Sequence, residues 1–134
     1  MPQFLAFDFV TRRTGVATGN TLLRQAQALT TVTAEGDARF AAIARLLTEW
    51  QPDALVVGVP VHPDGAAHDN TQRARRFARQ LHGRFRLPVH EVDERYTTTE
   101  ALSAGAADAD AAAAAIILDQ FLRALPEAEP DAAA

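Results

Sequence analysis

Cysteine is absent from the chain. That excludes a disulfide framework, a thiolate-ligated metal and a cysteine nucleophile. No apolar run approaches the roughly 18–20 residues that cross a bilayer, and the N-terminus lacks a basic segment followed by an apolar one. The chain is therefore expected to be soluble and cytoplasmic, without membrane contact. Lysine is absent too, so all 13 basic residues are arginine. Arginine suits bidentate phosphate recognition better than lysine does, although an alanine-rich, all-arginine chain is also what a GC-rich genome produces.

The formal charge of −4 excludes a uniformly basic protein. It conceals an asymmetry: between Asn70 and His90 stand six arginines and no acid, so +6 there leaves −10 for the remainder. A length of 134 residues fits one domain. We assign that domain to residues 1–126 and expect the acidic, alanine-rich segment 127–134 to be disordered.

The pattern predicts a strand over Gln3–Val10, a second from Gly15 to Thr18 and a third within Leu23–Val32, linked tightly enough to form an antiparallel meander. Gly36-Asp37 introduces a helix whose Phe40, Ile43, Leu46, Leu47 and Trp50 fall at helical spacing. The continuous apolar run Ala54–Val59, closed by Pro60, reads as a parallel strand covered on both faces. A loop over Val61–Asn70 leads to an arginine-rich helix from about Thr71 to Gly83, and Leu87–Val92 is a short strand. Thr97-Thr98-Thr99-Glu100 has the form of a capping box, and a terminal helix runs from Ala109 to about Leu125. The expected fold is α/β, a mixed five-stranded sheet with the meander plus parallel strands and helices on both faces. This is a ribonuclease H-like architecture.

Acidic residues carry the candidate chemistry. Asp8 lies within the apolar run of the first strand, where an ionised carboxylate costs several kcal/mol unless compensated. It either sits at the wet end of that strand or faces a cation, an arginine such as Arg12 or Arg13, or backbone donors. In the terminal helix, with Asp110 at 0°, Ala114, Ile117 and Phe121 fall at about 40°, 340° and 20°. Asp110 therefore continues the sheet-facing stripe, unless it is only an N-terminal residue favoured by the helix dipole. Asp108 and Asp119, at about 160° and 180°, are expected on the solvent side. Alanines 111–115 would let this helix approach the sheet closely. Asp93 and Glu94 end the last strand and alternate in direction. We assign Asp93 to the active face and hold Glu94 in reserve. Three acids at one sheet end would form a hard-cation site for Mg²⁺ or Mn²⁺, suited to in-line displacement at a phosphodiester.

Four motifs in order resemble the YqgF/RuvX family of small ribonuclease H-like proteins. They are Phe7-Asp8-Phe9-Val10-Thr11-Arg12-Arg13-Thr14-Gly15-Val16-Ala17, then Val56-Val57-Gly58-Val59-Pro60 with Asp64-Gly65, then Val92-Asp93-Glu94-Arg95-Tyr96-Thr97-Thr98, and Asp110 followed by Ala113-Ala114 and Ile116-Ile117-Leu118. The resemblance spans about Phe4 to Leu122. It implies a metal-dependent nuclease maturing the 5′ end of pre-16S ribosomal RNA, or alternatively a resolvase of Holliday junctions in branched DNA. Asp8, Asp93 and Asp110 would be the metal-binding acids, and Thr11, Arg12, Arg13 and Arg95 the contacts to nucleic acid. The resolvase reading needs two copies acting on paired strands, so monomer and homodimer both remain open.

Departures from the family pattern are Val10 where glycine is usual, Gly19-Asn20 where Ser-Asp is common, and a segment Ala101–Asp110 without lysine or arginine. They keep open a catalytically silent module that binds nucleic acid or a processing partner. Asp8-Phe9-Val10-Thr11 also resembles the phosphate loop of actin-like sugar kinases, which need a second domain to enclose a nucleotide.

Overall fold

A computed structural model describes residues 3–10, 12–60, 69–94 and 109–125, with the backbone alone at Val10, Asp69, Asn70 and Glu94. The elements are β1 (Gln3–Val10), β2 (Arg13–Asn20), β3 (Gln25–Val32), α1 (Gly36–Trp50), β4 (Ala54–Pro60), α2 (Asp69–Phe85), β5 (Val89–Glu94) and α3 (Ala109–Ala124). One five-stranded sheet has the order β3-β2-β1-β4-β5. The first three strands form the expected antiparallel meander, and β4 and β5 run parallel to β1.

Alternation along β1 separates the two faces. Leu5 and Phe7 join Phe40 and Ile43 of α1 and Phe77, Ala78 and Leu81 of α2 in one core. Phe4 and Ala6 join Ile117, Leu118 and Leu122 of α3 in the other. The first core is organised by Phe77, whose ring lies 6.0 Å from Phe7, 4.8 Å from Phe9 and 5.9 Å from Phe40. On the α3 face the buried alanines 111, 113 and 114 hold the helix against the sheet, as small side chains allow.

Local chemistry sets the element ends. Asn20 Oδ1 accepts the Leu23 N–H at 2.8 Å and the Asn20 carbonyl accepts that of Arg24 at 3.0 Å. This side-chain turn starts β3 at Gln25, two residues later than expected, and leaves Leu23 exposed. Helix α1 ends at Gln51 in the left-handed region (φ 47°), with its N–H bonded to the Leu47 carbonyl at 2.8 Å. Asp53 exchanges bonds with Gln3 at 2.7 Å through both its N–H and its carboxylate, which sets the β1/β4 register. The Thr71 hydroxyl, wholly buried, donates to the Pro60 carbonyl and ties the start of α2 to the end of β4. Helix α2 extends about a residue or two beyond each expected end, and β5 begins at Val89 rather than Leu87.

Helix α3 is fixed to the meander along its length. Arg24 Nη2 donates to the carbonyls of Leu122 (2.7 Å) and Leu125 (3.1 Å), satisfying acceptors at the helix C-terminus. Asp119 Oδ1 accepts the N–H of Ala26 at 2.8 Å. The wheel placed Asp119 in solvent. It instead overhangs the sheet edge, where β3 presents backbone donors with no further strand beside them among the described residues.

The expected tail 127–134, the loop before α2 up to residue 68 and the capping box at 97–100 lie outside the described residues. Among the described residues no helix is long and apolar enough to cross a membrane.

Thr14 is fully buried beside Phe9 on the α1/α2 face, and its Oγ1 has no hydrogen-bond partner among the described residues. Removing a buried unsatisfied hydroxyl while keeping the side-chain shape is neutral to stabilising. Thr14→Val is therefore expected to hold or raise unfolding free energy, by up to about 1 kcal/mol in urea denaturation.

Candidate metal centre

Asp8 stands in the last part of β1 and is 6% exposed. Parity with Phe4 and Ala6 puts it on the α3 face. Its row across the sheet is Thr31, Gly15, Asp8, Gly58 and Val92. The carboxylate is thus flanked on both neighbouring strands by glycine, so no side chain from either neighbour fills the space beside it.

The glycine on β2 has a specific reason to be there. A Cβ at Gly15 would lie 1.8 Å from the carbonyl oxygen of Asp110 and 2.9 Å from the nitrogen of Ala111. The first turn of α3 therefore rests on bare backbone directly beside Asp8. Cross-strand partners hold their Cβ positions about 5 Å apart, so Asp8 Cβ lies no more than about 7 Å from the Asp110 carbonyl. The backbone at Asp110 is thus brought to the sheet end that carries Asp8, 102 positions earlier in the chain.

Asp110 is partly exposed, and its Oδ2 accepts from Arg13 Nε at 2.6 Å. Side-chain exposures of 50% for Arg13 and 21% for Asp110 make this a surface pair, worth at most about 1 kcal/mol. Its consequence is orientation. One carboxylate oxygen is engaged, and since a carboxylate offers about four acceptor sites, Oδ1 can still face a cation. Arg12 is exposed in the turn between β1 and β2. Thr11 and Arg95 lie outside the described residues.

Asp93 lies in the penultimate position of β5. Along β5, Val89 packs into the α1/α2 core and Glu91 lies 3.7 Å from Arg75 of α2. Val59, the register partner of Asp93, packs with Ala74 of α2. His90 instead stacks near Phe121 of α3 at 5.0 Å, and Val92 belongs to the α3-side core. By strand parity Asp93 falls with Val89 and Glu91, in the alternation set opposite Val92 and the row of Asp8, and it is exposed. Position 94 shares the alternation set of His90 and Val92 and pairs in register with Pro60.

No group of three His, Cys, Asp or Glu side chains gathers as a metal site among the described residues. The oxygen donors of Asp8 and Asp110 are of the type that suits a hard cation. Mg²⁺ is commonly held by one or two carboxylates and completes its shell with water and substrate phosphate, whereas Ca²⁺ takes six to eight ligands.

The chain matches the family described as RuvX, Holliday junction resolvase, over residues 2–124. A protein of Albidiferax ferrireducens is 74% identical over 125 residues, covering 93% of this chain and 80% of its own. One from a Polaromonas species is 68% identical over 126 residues (94% and 91%), and one from Burkholderia thailandensis 54% identical over 130 (92% and 89%). All three carry the provisional name pre-16S rRNA nuclease. Among solved structures, Thermus thermophilus RuvC in complex with a Holliday junction superposes with a TM-score of 0.56 at 16% identity, over 92% of this chain and 95% of that one. Fowlpox virus resolvase with its junction DNA gives 0.55 at 7% identity, over 90% and 97%. At those identities the likeness concerns the fold, and it agrees with the ribonuclease H-like architecture expected from the element order.

Gly15→Ala forces a methyl into the Asp110 peptide. It is expected to cost about 2 kcal/mol or more through overpacking, read as a lowered denaturation midpoint. Gly83→Ala, at a helix position with nothing within 4 Å of the added Cβ, is expected to be neutral or stabilising in the same assay.

Proposed function

The chain belongs to the RuvX family, and from that membership we propose that it is a divalent-metal-dependent nuclease hydrolysing phosphodiester bonds in the 5′-end maturation of pre-16S ribosomal RNA. One observation carries the reading: Asp8 and the first turn of α3 converge over Gly15 on one face of the sheet. The names of the close relatives carry the choice of RNA. Such a role is a cytoplasmic one.

In this reading Asp8 and Asp110 hold the cation, with Glu94 as the third acid because its strand position lies on their face. A bound Mg²⁺ or Mn²⁺ supplies charge stabilisation at the phosphodiester and activation of the attacking water. Asp8 is buried, so its carboxylate is shielded from bulk water and its charge acts at low dielectric. Arg13 fixes the rotamer of Asp110, as groups behind a ligand commonly do. Arg12, exposed beside it, is suited to a substrate phosphate.

The family description and the two junction-bound neighbours favour a second substrate, a four-way DNA junction. Cutting two strands of a junction requires two copies of the site. Side-by-side cleavage of pre-16S precursor RNA and a four-way junction, with the mass of the active species, separates the readings.

Losing a carboxylate that binds the cation removes several kcal/mol of transition-state stabilisation, about 100-fold or more in rate. Asp8→Asn, Asp110→Asn and Glu94→Gln are each expected to lower Mg²⁺-dependent cleavage by about that factor, and Asp93→Asn by less than about threefold. Full activity in Asp8→Asn, or no cleavage of either substrate by the parent protein, would overturn the reading.

A further inference from the structure

Helix α2 sets a run of arginines against the single acid Asp69 at its start. Arg75 is paired with Glu91 at 3.7 Å and Arg84 with Asp37 at 3.3 Å. Arg76 and Arg79 are exposed, and their side chains enter no ion pair or hydrogen bond among the described residues. With Gln72 at 0°, Arg76, Arg79 and Gly83 fall at about 40°, 340° and 20°, so the four form one stripe, exposed throughout. Arg76 and Arg79 stand at i and i+3, with Cβ atoms about 5–6 Å apart, and Arg75 and Arg79 at i and i+4, so like charges face each other and weaken the helix. A bound polyanion offsets that repulsion. At Gly83 an added Cβ would meet nothing within 4 Å among the described residues, so a ligand can approach the helix backbone closely there.

Beside the stripe an open groove of about 590 Å³ lies between α2 and β5. Arg79 and His82 border it from the helix and Pro88, Val89 and Glu91 from the strand side, with the buried Ala78 beneath. Its volume is within the roughly 300–1,000 Å³ of sites that take small organic groups. His82 Nδ1 lies 3.0 Å from the Leu87 carbonyl. A carbonyl only accepts, so Nδ1 carries the proton and Nε2 of the neutral ring is left as an acceptor. Glu91 is the one acid among the described residues that line the groove, and Arg75 beside it offsets its charge. Helix α2 starts at the sheet end that carries Asp8, because Thr71 is bonded to Pro60, two residues past Gly58, the register partner of Asp8.

We propose that the exposed side of α2 binds a single-stranded nucleic-acid segment, with its phosphates on Arg76 and Arg79 and one nucleoside in the groove against Pro88, Val89 and His82. Guanidinium forks match phosphate oxygens bidentately. The apolar walls cover sugar and base, and His82 Nε2 accepts from a base or a 2′-hydroxyl. A charged track beside a surface for the bases is how single strands are commonly held. A duplex keeps its bases stacked inside, so a base reaches the groove only from an unpaired strand. The chain outside Asn70–His90 sums to −10, which concentrates the attraction for a polyanion at this helix. That the strand is the one cut at Asp8 and Asp110 rests on the nuclease reading, whereas the binding surface does not.

The test is fluorescence anisotropy of a labelled short single-stranded RNA with the full chain, without divalent cation, across salt concentrations. Arg76→Gln/Arg79→Gln is expected to bind about tenfold or more weaker at low salt, with a salt slope shallower by about 0.7 per lost phosphate contact. Arg45→Gln/Arg123→Gln removes the same charge from exposed positions of α1 and α3 and is expected to keep the parent slope. Thermal midpoints check that the variants fold. An abasic strand of equal length is expected to bind the parent protein about threefold or more weaker than the RNA, and His82→Ala to shrink that ratio with the salt slope unchanged. An unchanged slope in Arg76→Gln/Arg79→Gln, an equal fall in the control pair, or no RNA binding by the parent protein at low salt would overturn the inference. Equal affinity for the abasic strand would overturn the placement of a nucleoside in the groove, and a duplex bound as tightly would overturn the choice of a single strand. Cleavage is not read, so failure of the nuclease reading and failure of this one are distinguishable.

Discussion

The contact on which the site depends is between the backbone of Gly15 and the first turn of α3. Without a Cβ on β2 the helix comes within van der Waals distance of the sheet, and the alanines that follow Asp110 allow the same approach along the next turns. Asp8 and Asp110 lie on different elements that no short connection links, so this contact is what brings the first turn of α3 beside β1. Polar ties at both ends of α3 hold the helix at that depth. Arg24 and Asp119 anchor its C-terminal half to the β2–β3 hairpin, and Arg13 meets Asp110 at its start. Each tie joins α3 to the meander, so the hairpin acts as a cradle for the helix that carries the acid.

Much of this was legible in the residues. Asp8 within an apolar strand and Asp110 on the apolar stripe of a helix follow from the pattern of residues alone, and the meander followed by alternating helices and strands predicts a mixed five-stranded sheet. The strand at Val89–Glu94 was legible but its facing was not, since its apolar residues, Val89 and Val92, fall in opposite phases. The phase is decided by partners distant in the chain, Arg75 for Glu91 and Phe121 for His90, and these put Asp93 in the alternation set opposite the row of Asp8. Asp119 misled for a related reason. A helical wheel measures direction from the axis and not the position of a sheet edge, and here the edge strand β3 lies beneath a side that the wheel assigns to water. Asn20, where a family pattern has Asp, showed no sequence signal for its turn-closing bond beyond its residue type.

The distribution of charge has a structural counterpart. The arginines between Asn70 and His90 could have been a solvated face, and part of α2 is used that way, in exposed pairs with Glu91 and Asp37. Another part converges with the buried Arg39 on an aromatic-walled cavity. The two ends of the same strand residue pair, Asp8 and Phe9, thus lead to opposite electrostatic environments: carboxylates on the α3 face and guanidinium groups on the α1/α2 face.

The central claim is that Asp8 and Asp110 hold one divalent ion. Anomalous scattering from crystals of the protein soaked in Mn²⁺ tests it directly. The account predicts a peak within about 2.5 Å of a carboxylate oxygen of each residue, on the α3 face above Gly58. Peaks confined to other carboxylates at saturating Mn²⁺, with the region between Asp8 and Asp110 empty, would contradict it.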